Sequence, residues 1–270
     1  MKLRVVGIAL AGAGLLAGVA GCASSSGGSA TAASSGSPSS AASAALTGKV
    51  TVFAAASLKK TFTELGKEFQ AAHPGVTVTF SFGGSDTLAQ SIVGGAPADV
   101  FASASLATMK TVTDAGDAAG APVDFARNQL EIAVAAGNPK KITDLNGLTA
   151  KGVKVALCAK TVPCGAAAVK ALNAAKVSLT PVTYEQDVTA ALTKVELGEV
   201  DASLVYHTDV QGAGGKVTGV DFPAAAQAIT TYPVVALKNA PNSAAAQAFA
   251  AFVASGQAQQ VLTAAGFQKP

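Results

Sequence analysis

Half of the 270 residues are hydrophobic, 13% are charged and 5% aromatic, with a formal net charge of +3. That composition supports a large core built as one or two α/β lobes. Lys2 and Arg4 fall in a segment expected to be removed, which leaves the rest near neutral. No basic run is interleaved with aromatics, so the balance argues against a nucleic-acid surface.

Residues 1–21 read as a secretory signal: two early basic residues, then an apolar stretch from Val5 to Ala20 broken by glycines. Val19-Ala20-Gly21-Cys22 resembles a bacterial lipobox, which makes Cys22 the expected first residue of the processed chain and the carrier of a lipid. Residues 22–48 then form an expected tether of Ser, Ala and Gly without charge, too polar and too small-chained to offset the entropy of ordering.

The folded part opens with a strand at Val50–Phe53 that runs through small alanines into Ser57. Leu58, Phe62, Leu65 and Phe69 follow at helical spacing, so Ser57 stands where an N-cap belongs. Val76–Phe82 alternates as a half-buried strand, Gly83-Gly84 breaks it, and Ser85 precedes a second helix through Leu88 and Ile92. Ala98–Ala102 is a buried strand, Leu106–Ala115 a helix and Gln129–Val134 a strand.

Further on, Val153–Leu157 is a strand, and Cys158 to Gly165 leads with Pro163 into an alanine-rich helix ending near Lys176. Leu179–Tyr184 is extended, Asp187 is placed to cap a helix over Val188–Leu197, and Ala202–Tyr206 is a strand. Thr231–Leu237 is a last strand, and helices near Asn242–Ala254 and Gly256–Ala265 close the chain. This alternation implies largely parallel sheets flanked by helices. Ligands bind beyond the carboxyl ends of such strands. Four strand-to-helix corners lie there, at Ser57, Ser85, Cys164 and Val188, and Tyr206 ends a strand beside them.

Helix starts, hydroxyls and a phenol without Lys or Arg suit a compact, fully ionised oxyanion held by hydrogen bonds and dipoles. A protonated anion would need an acceptor, and Asp86 is the nearby one; it is expected to face outward at its own helix start, and an inward carboxylate would favour phosphate over molybdate. Cys158 and Cys164 are expected to form a disulfide, since the chain reads as exported, with two buried thiols as the alternative. Closing so short a loop stabilises by about 2 kcal/mol on the chain-entropy model. His73 and His207 lack ligand-like neighbours at spacing three or four, so no metal site is expected.

AAASL at 54–58, GAPADVFASA at 95–104, VPCG at 162–165, VYHTD at 205–209 and TYPVVAL at 231–237 together resemble the periplasmic molybdate-binding proteins of ABC transporters. The likeness runs from about Lys49 to Gly266-Phe267. It implies an α/β fold of the two-lobed periplasmic binding protein type (class II), each lobe a mixed, mostly parallel sheet flanked by helices, with the ligand between them. The implied organisation is lobe 1 over 49–130, lobe 2 over 131–230 and a return to lobe 1 over 231–270. The resemblance places hydroxyl ligands on Ser57 and Ser85, a phenol on Tyr206, and backbone donors on Cys164 and Val188. It also implies molybdate or tungstate as the bound ligand, no cofactor beyond it, a membrane permease as partner, and a monomer outside the cytoplasm.

Two other readings are carried. A binding protein for sulfate or phosphate would use the same corners. A surface hydrolase would pair Ser57 with His207, but the chain has no G-x-S-x-G elbow, and no enzyme is expected. The anchor is directly testable. Cys22→Ser should leave the protein unprocessed or released from membranes; mass spectrometry finding an unlipidated Cys22 in the membrane fraction would refute it.

Overall fold

A computed structural model describes residues 45–270; the leader, the lipobox Cys22 and most of the tether lie outside the described residues. The strands form two five-stranded sheets with the same internal plan. The first contains β1 (Gly48–Ala55), β2 (Val76–Gly83), β3 (Val100–Ala102), β4 (Val123–Asn128) and, from the end of the chain, Thr230–Ala236. The second contains β5 (Leu130–Ala135), β6 (Val155–Cys158), β7 (Thr183–Glu185), β8 (Ala202–Tyr206) and β9 (Val217–Val220); the returning strand is therefore β10. The orders are β2-β1-β3-β10-β4 and β7-β6-β8-β5-β9. In each, the first three strands run parallel and the fourth, β10 or β5, is antiparallel to both its neighbours, so the fifth runs with the first three.

The parallel strands are followed by helices, as crossover geometry requires. These are α1 (Lys59–Ala72), α2 (Ser85–Val93) and α3 (Leu106–Asp114) in the first lobe, and α4 (Pro163–Ala175), α5 (Val188–Glu196) and the short α6 (His207–Gly212) in the second. The closing helices α7 (Ser243–Val253) and α8 (Gly256–Ala264) pack back on the first sheet.

The two cores differ in kind. In the first lobe Phe62 and Phe69 of α1 meet Phe125, Phe249 and Tyr232, with the Phe62 and Phe125 ring centroids 5.7 Å apart. Val50, Val52 and Ala54 bury one face of β1 against that cluster, which is the alternation of the sequence made physical. The second core is aliphatic, and Ala167, Ala168 and Ala171 let α4 lie close on Leu157, Leu204 and their neighbours. Asp99 is buried yet satisfied, its two oxygens accepting the Thr51 and Asn242 N–H groups at 2.7 Å each.

Only Gln129 separates β4 of one sheet from β5 of the other, and the chain returns between Val220 and Thr230. The first crossing is braced from both sides. Asn128 Nδ2 donates to Thr208 Oγ1 at 2.8 Å, the His207 N–H donates to the Gln129 carbonyl at 3.0 Å, and Arg127 and Gln268 exchange two backbone bonds.

Several local expectations are corrected. Ser57 is not an N-cap: Ala56–Leu58 is a 3-10 turn entered from Ala55, and the serine hydroxyl turns to another partner. Ser85 is the first residue of α2 rather than its cap, which is Gly84. The strand expected at Gln129–Val134 is one of two, because β4 precedes it; Asp124, Arg127 and Asn128 broke its apolar alternation in the sequence. Asp187 does cap α5, its Oδ1 accepting the Ala190 N–H at 2.9 Å.

Gly165 occupies a position no larger residue fits. A Cβ there would lie 1.9 Å from the Ala159 carbonyl oxygen and 2.7 Å from that of Cys158. The disulfide loop thus folds directly onto the first turn of α4. Gly165→Ala should destabilise by about 1–3 kcal/mol, read as a lower urea midpoint at unchanged slope, because backbone rather than a flexible side chain must move.

Candidate functional site

Six chain segments meet in a tight cavity of about 10 Å³ between the two sheets. It is lined by Ala55–Ser57, Gly83–Ser85 and Ala104 from the first lobe, and by Val162–Cys164, Asp187–Val188 and Tyr206 from the second. Ser57, Ser85, Cys164, Val188 and Tyr206, which the sequence singled out, therefore all face one space. No lysine, arginine or histidine lies in that lining. Ala56 packs into the aliphatic core of the second lobe, so the lobes touch across the cleft.

Ser85 is 1% exposed, and its Oγ accepts the Ala104 N–H at 3.0 Å, so its own O–H points elsewhere. Ser57 Oγ lies 3.0 Å from Tyr232 Oη. With the phenol donating, the serine hydroxyl is likewise free to donate into the cavity. The Tyr206 phenol is buried without a hydrogen-bond partner among the described residues; Thr230 and Tyr232 lie near but outside bonding geometry. Burial drives its pKa upward, which keeps it a neutral donor.

The second lobe supplies backbone donors. The first N–H groups of a helix have no carbonyl within it, and Pro163 at the first position of α4 leaves Cys164 to lead. The first intrahelical bond of α4 is Ala166 N–H to Val162 O. In α5, Asp187 takes the Ala190 and Ala191 N–H groups and leaves that of Val188 unclaimed. Cys158 and Cys164 are bridged, with S–S 2.05 Å and Cα–Cα 5.8 Å, so the end of β6 is tied to the start of α4.

Tyr232 was missed by sequence reasoning, which read its segment only as a strand. It backs Ser57 by hydrogen bond and packs edge-on against Tyr206, ring centroids 6.0 Å apart, so one side chain of the first lobe supports a donor from each lobe. A tyrosine before proline on the strand that returns from the second lobe was the available signal. Asp86 does not face out as expected. It is half-buried, and its Oδ1 is enclosed without a partner, because the second lobe covers the start of α2.

His207 and Ser57 form no nucleophile–base pair. His207 Nδ1 lies 2.8 Å from Glu131 Oε2, and its Nε2 lies 2.8 Å from Gln211 Nε2. Burial raises the Glu131 carboxyl while His207 opposes the rise. With Asp221 these side chains place three potential metal-ligating atoms within 4.8 Å of one another, a group invisible to short-range spacing because its members are scattered along the chain.

Two sheets of like plan, joined by two crossings and clasping a donor-lined cavity without a basic residue, define a two-lobed extracellular solute-binding protein. The chain belongs to the bacterial extracellular solute-binding protein family, whose model matches residues 50–268, and within it groups with the molybdate-binding protein ModA. It is 45% identical to the ModA of Mycobacterium tuberculosis over 221 residues, covering 82% of this chain and 85% of that one. Among solved structures, the Azotobacter vinelandii periplasmic molybdate-binding protein superposes with a TM-score of 0.70 at 22% identity, covering 82% of this chain and 99% of that one. The sulfate-binding protein SubI of M. tuberculosis also gives a TM-score of 0.70, at 21% identity and 82% and 86% coverage, and shares the fold. These relatives are binding proteins, not enzymes.

One titrating group sits directly behind the cavity. Asp209 is half-buried as a residue, but its carboxylate is enclosed, accepting the Tyr206 N–H at 3.0 Å. Burial, with a smaller push from Asp187, raises it from 3.8 to about 7. A raised carboxyl favours the fold fully below its unfolded value, and that contribution is lost as pH climbs through the folded one. On this account stability should fall from about pH 4 to pH 7. Asp209→Asn keeps an acceptor for Tyr206 and should flatten that slope; melting temperatures across the range would show it.

Proposed function

We propose that this protein binds molybdate, and tungstate with it, outside the cytoplasm and delivers the anion to an ABC importer. The observation that carries the reading is the convergence of Ser57, Ser85, Tyr206 and the helix starts at Cys164 and Val188 on one small cavity without a basic residue. A site of neutral donors favours a tetrahedral anion that is fully ionised at neutral pH and needs no acceptor. The M. tuberculosis relative, named for molybdate binding, supports the same choice. SubI shares the fold with a name for sulfate binding, so the anion is chosen by the donors and not by the architecture.

In this reading the segments around Gln129 and between Val220 and Thr230 act as the hinge, and closure completes the cage because neither lobe carries all five donors. A lipid on Cys22 and the tether after it would keep the domain beside its permease. Helix termini, about 0.3–2 kcal/mol each, and hydrogen bonds to a charged acceptor, about 1.5–3 kcal/mol each, offset the desolvation of the anion.

Calorimetry with molybdate, tungstate, sulfate and phosphate in parallel tests the reading. Molybdate and tungstate should bind far more tightly than the other two. Ser57→Ala and Ser85→Ala should each weaken molybdate binding by about 1.5–3 kcal/mol. Unchanged affinity in both variants would place the anion elsewhere, and a preference for sulfate or phosphate would replace the ligand.

A further inference from the structure

The mechanism above leaves one buried group unused. Asp86 stands in the first turn of α2, next to Ser85, and its Oδ1 is buried with no hydrogen-bond partner. Among the described residues no lysine, arginine or histidine forms an ion pair with it. Atoms of the other lobe pack against Gly84, the residue that leads into this turn. A methyl group built on Gly84 would lie 2.8 Å from Asp86 Oδ1, 2.6 Å from the Gln186 carbonyl oxygen and 3.5 Å from Val162 Cγ1. Two acceptor oxygens, one from each lobe, therefore lie close to the same point on Gly84.

That arrangement exists only while the lobes touch. Gln186 and Val162 belong to the second lobe, and their withdrawal returns the Asp86 oxygen to water. An acceptor left unsatisfied by burial is unfavourable, more so when charged. Asp187, which caps α5 beside the cavity, adds a second carboxylate on the opposite lobe. The anion thus enters a cage whose two facing helix starts, α2 and α5, each already carry a negative side chain.

We propose that Asp86 is an affinity- and release-setting residue: its carboxylate is stranded by lobe closure, opposes the closed state, and so limits how tightly and how long the cleft holds its anion. The inference rests on the oxyanion-binding reading for its functional meaning, but its structural part, opposition to closure, does not depend on which anion is bound. Asp86 has no direct bond to the ligand; it acts through the lobe contact.

The test uses Asp86→Asn, which keeps the shape and supplies an N–H donor opposite the Gln186 carbonyl, and Asp86→Ala, which removes the group. Titration with molybdate should show about tenfold tighter binding for Asp86→Asn and a smaller gain for Asp86→Ala, with the change carried by slower dissociation. Small-angle scattering of the ligand-free proteins should show Asp86→Asn more compact than the natural chain. Equal or weaker affinity in both variants, or a ligand-free Asp86→Asn no more compact than the natural chain, would overturn the proposal. If the natural chain binds none of the four anions, the oxyanion reading fails, and ligand-free compaction still decides the role of Asp86. Circular dichroism and melting of each variant separate these outcomes from misfolding.

Discussion

An anion enclosed without a countercharge can be held only by donors that are already aimed, and on the proposed function that constraint organises this molecule. A lysine could follow its partner by turning a flexible chain; a backbone N–H cannot. The helix starts at Cys164 and Val188 must therefore be positioned by the sheet beneath them. The Cys158–Cys164 bridge fixes one, and Gly165 lets the loop lie against that helix without a side chain in the way. Asp187 fixes the other by taking the Ala190 N–H. On the hydroxyl side, Ala104 donates to Ser85, whose hydrogen remains for the cavity, and Tyr232 bonds Ser57 and fixes the place of its hydroxyl. Within each lobe the donors are ordered by these contacts and not by the ligand, which lowers the cost of binding.

The same constraint explains the division into two sheets of equal plan. One sheet presents helix starts along one edge, and a ligand on that edge stays half solvated. Two such edges turned toward each other enclose it. The crossing through Gln129 is tight because Asn128 is tied to Thr208 and His207 to Gln129, so β4 and β5 share a braced joint while the lobes retain separate cores. Tyr232 spans the division differently: it belongs to the first lobe, yet it supports Ser57 by hydrogen bond and Tyr206 by an edge-on contact.

Much of this was legible in the sequence because it was local. Phe62, Leu65 and Phe69 at helical spacing, the alternation of Val76–Phe82 and the Pro163 start signal needed no knowledge of tertiary structure. Ser57, Ser85, Cys164, Val188 and Tyr206 were readable as corner residues and as matches to known motifs. What escaped was what distance along the chain conceals. Ser57 resembled a cap until Tyr232, 175 positions later, accounted for its hydroxyl. β9, with Gly219, and the six-residue α6 were too short to show a period. Glu131 and His207 are 76 positions apart, and Asp86 was judged from its own helix although the second lobe decides its surroundings.

The carboxylates around the cavity show why strength of binding is not the sole design target. A cleft built only to hold a dianion would exclude negative side chains from its helix starts, yet Asp86 and Asp187 sit on two of them and Asp209 lies behind Tyr206. Asp187 has a reason in capping, and Asp209 in tethering the Tyr206 N–H, so each exchanges repulsion for rigidity. Asp86 makes no such bond with its buried oxygen. On the proposed function the cargo must be surrendered to a permease, which needs a closed state that is favoured but not by much. An oxygen that loses water on closure and gains nothing supplies that limit without loosening the donors that select the anion.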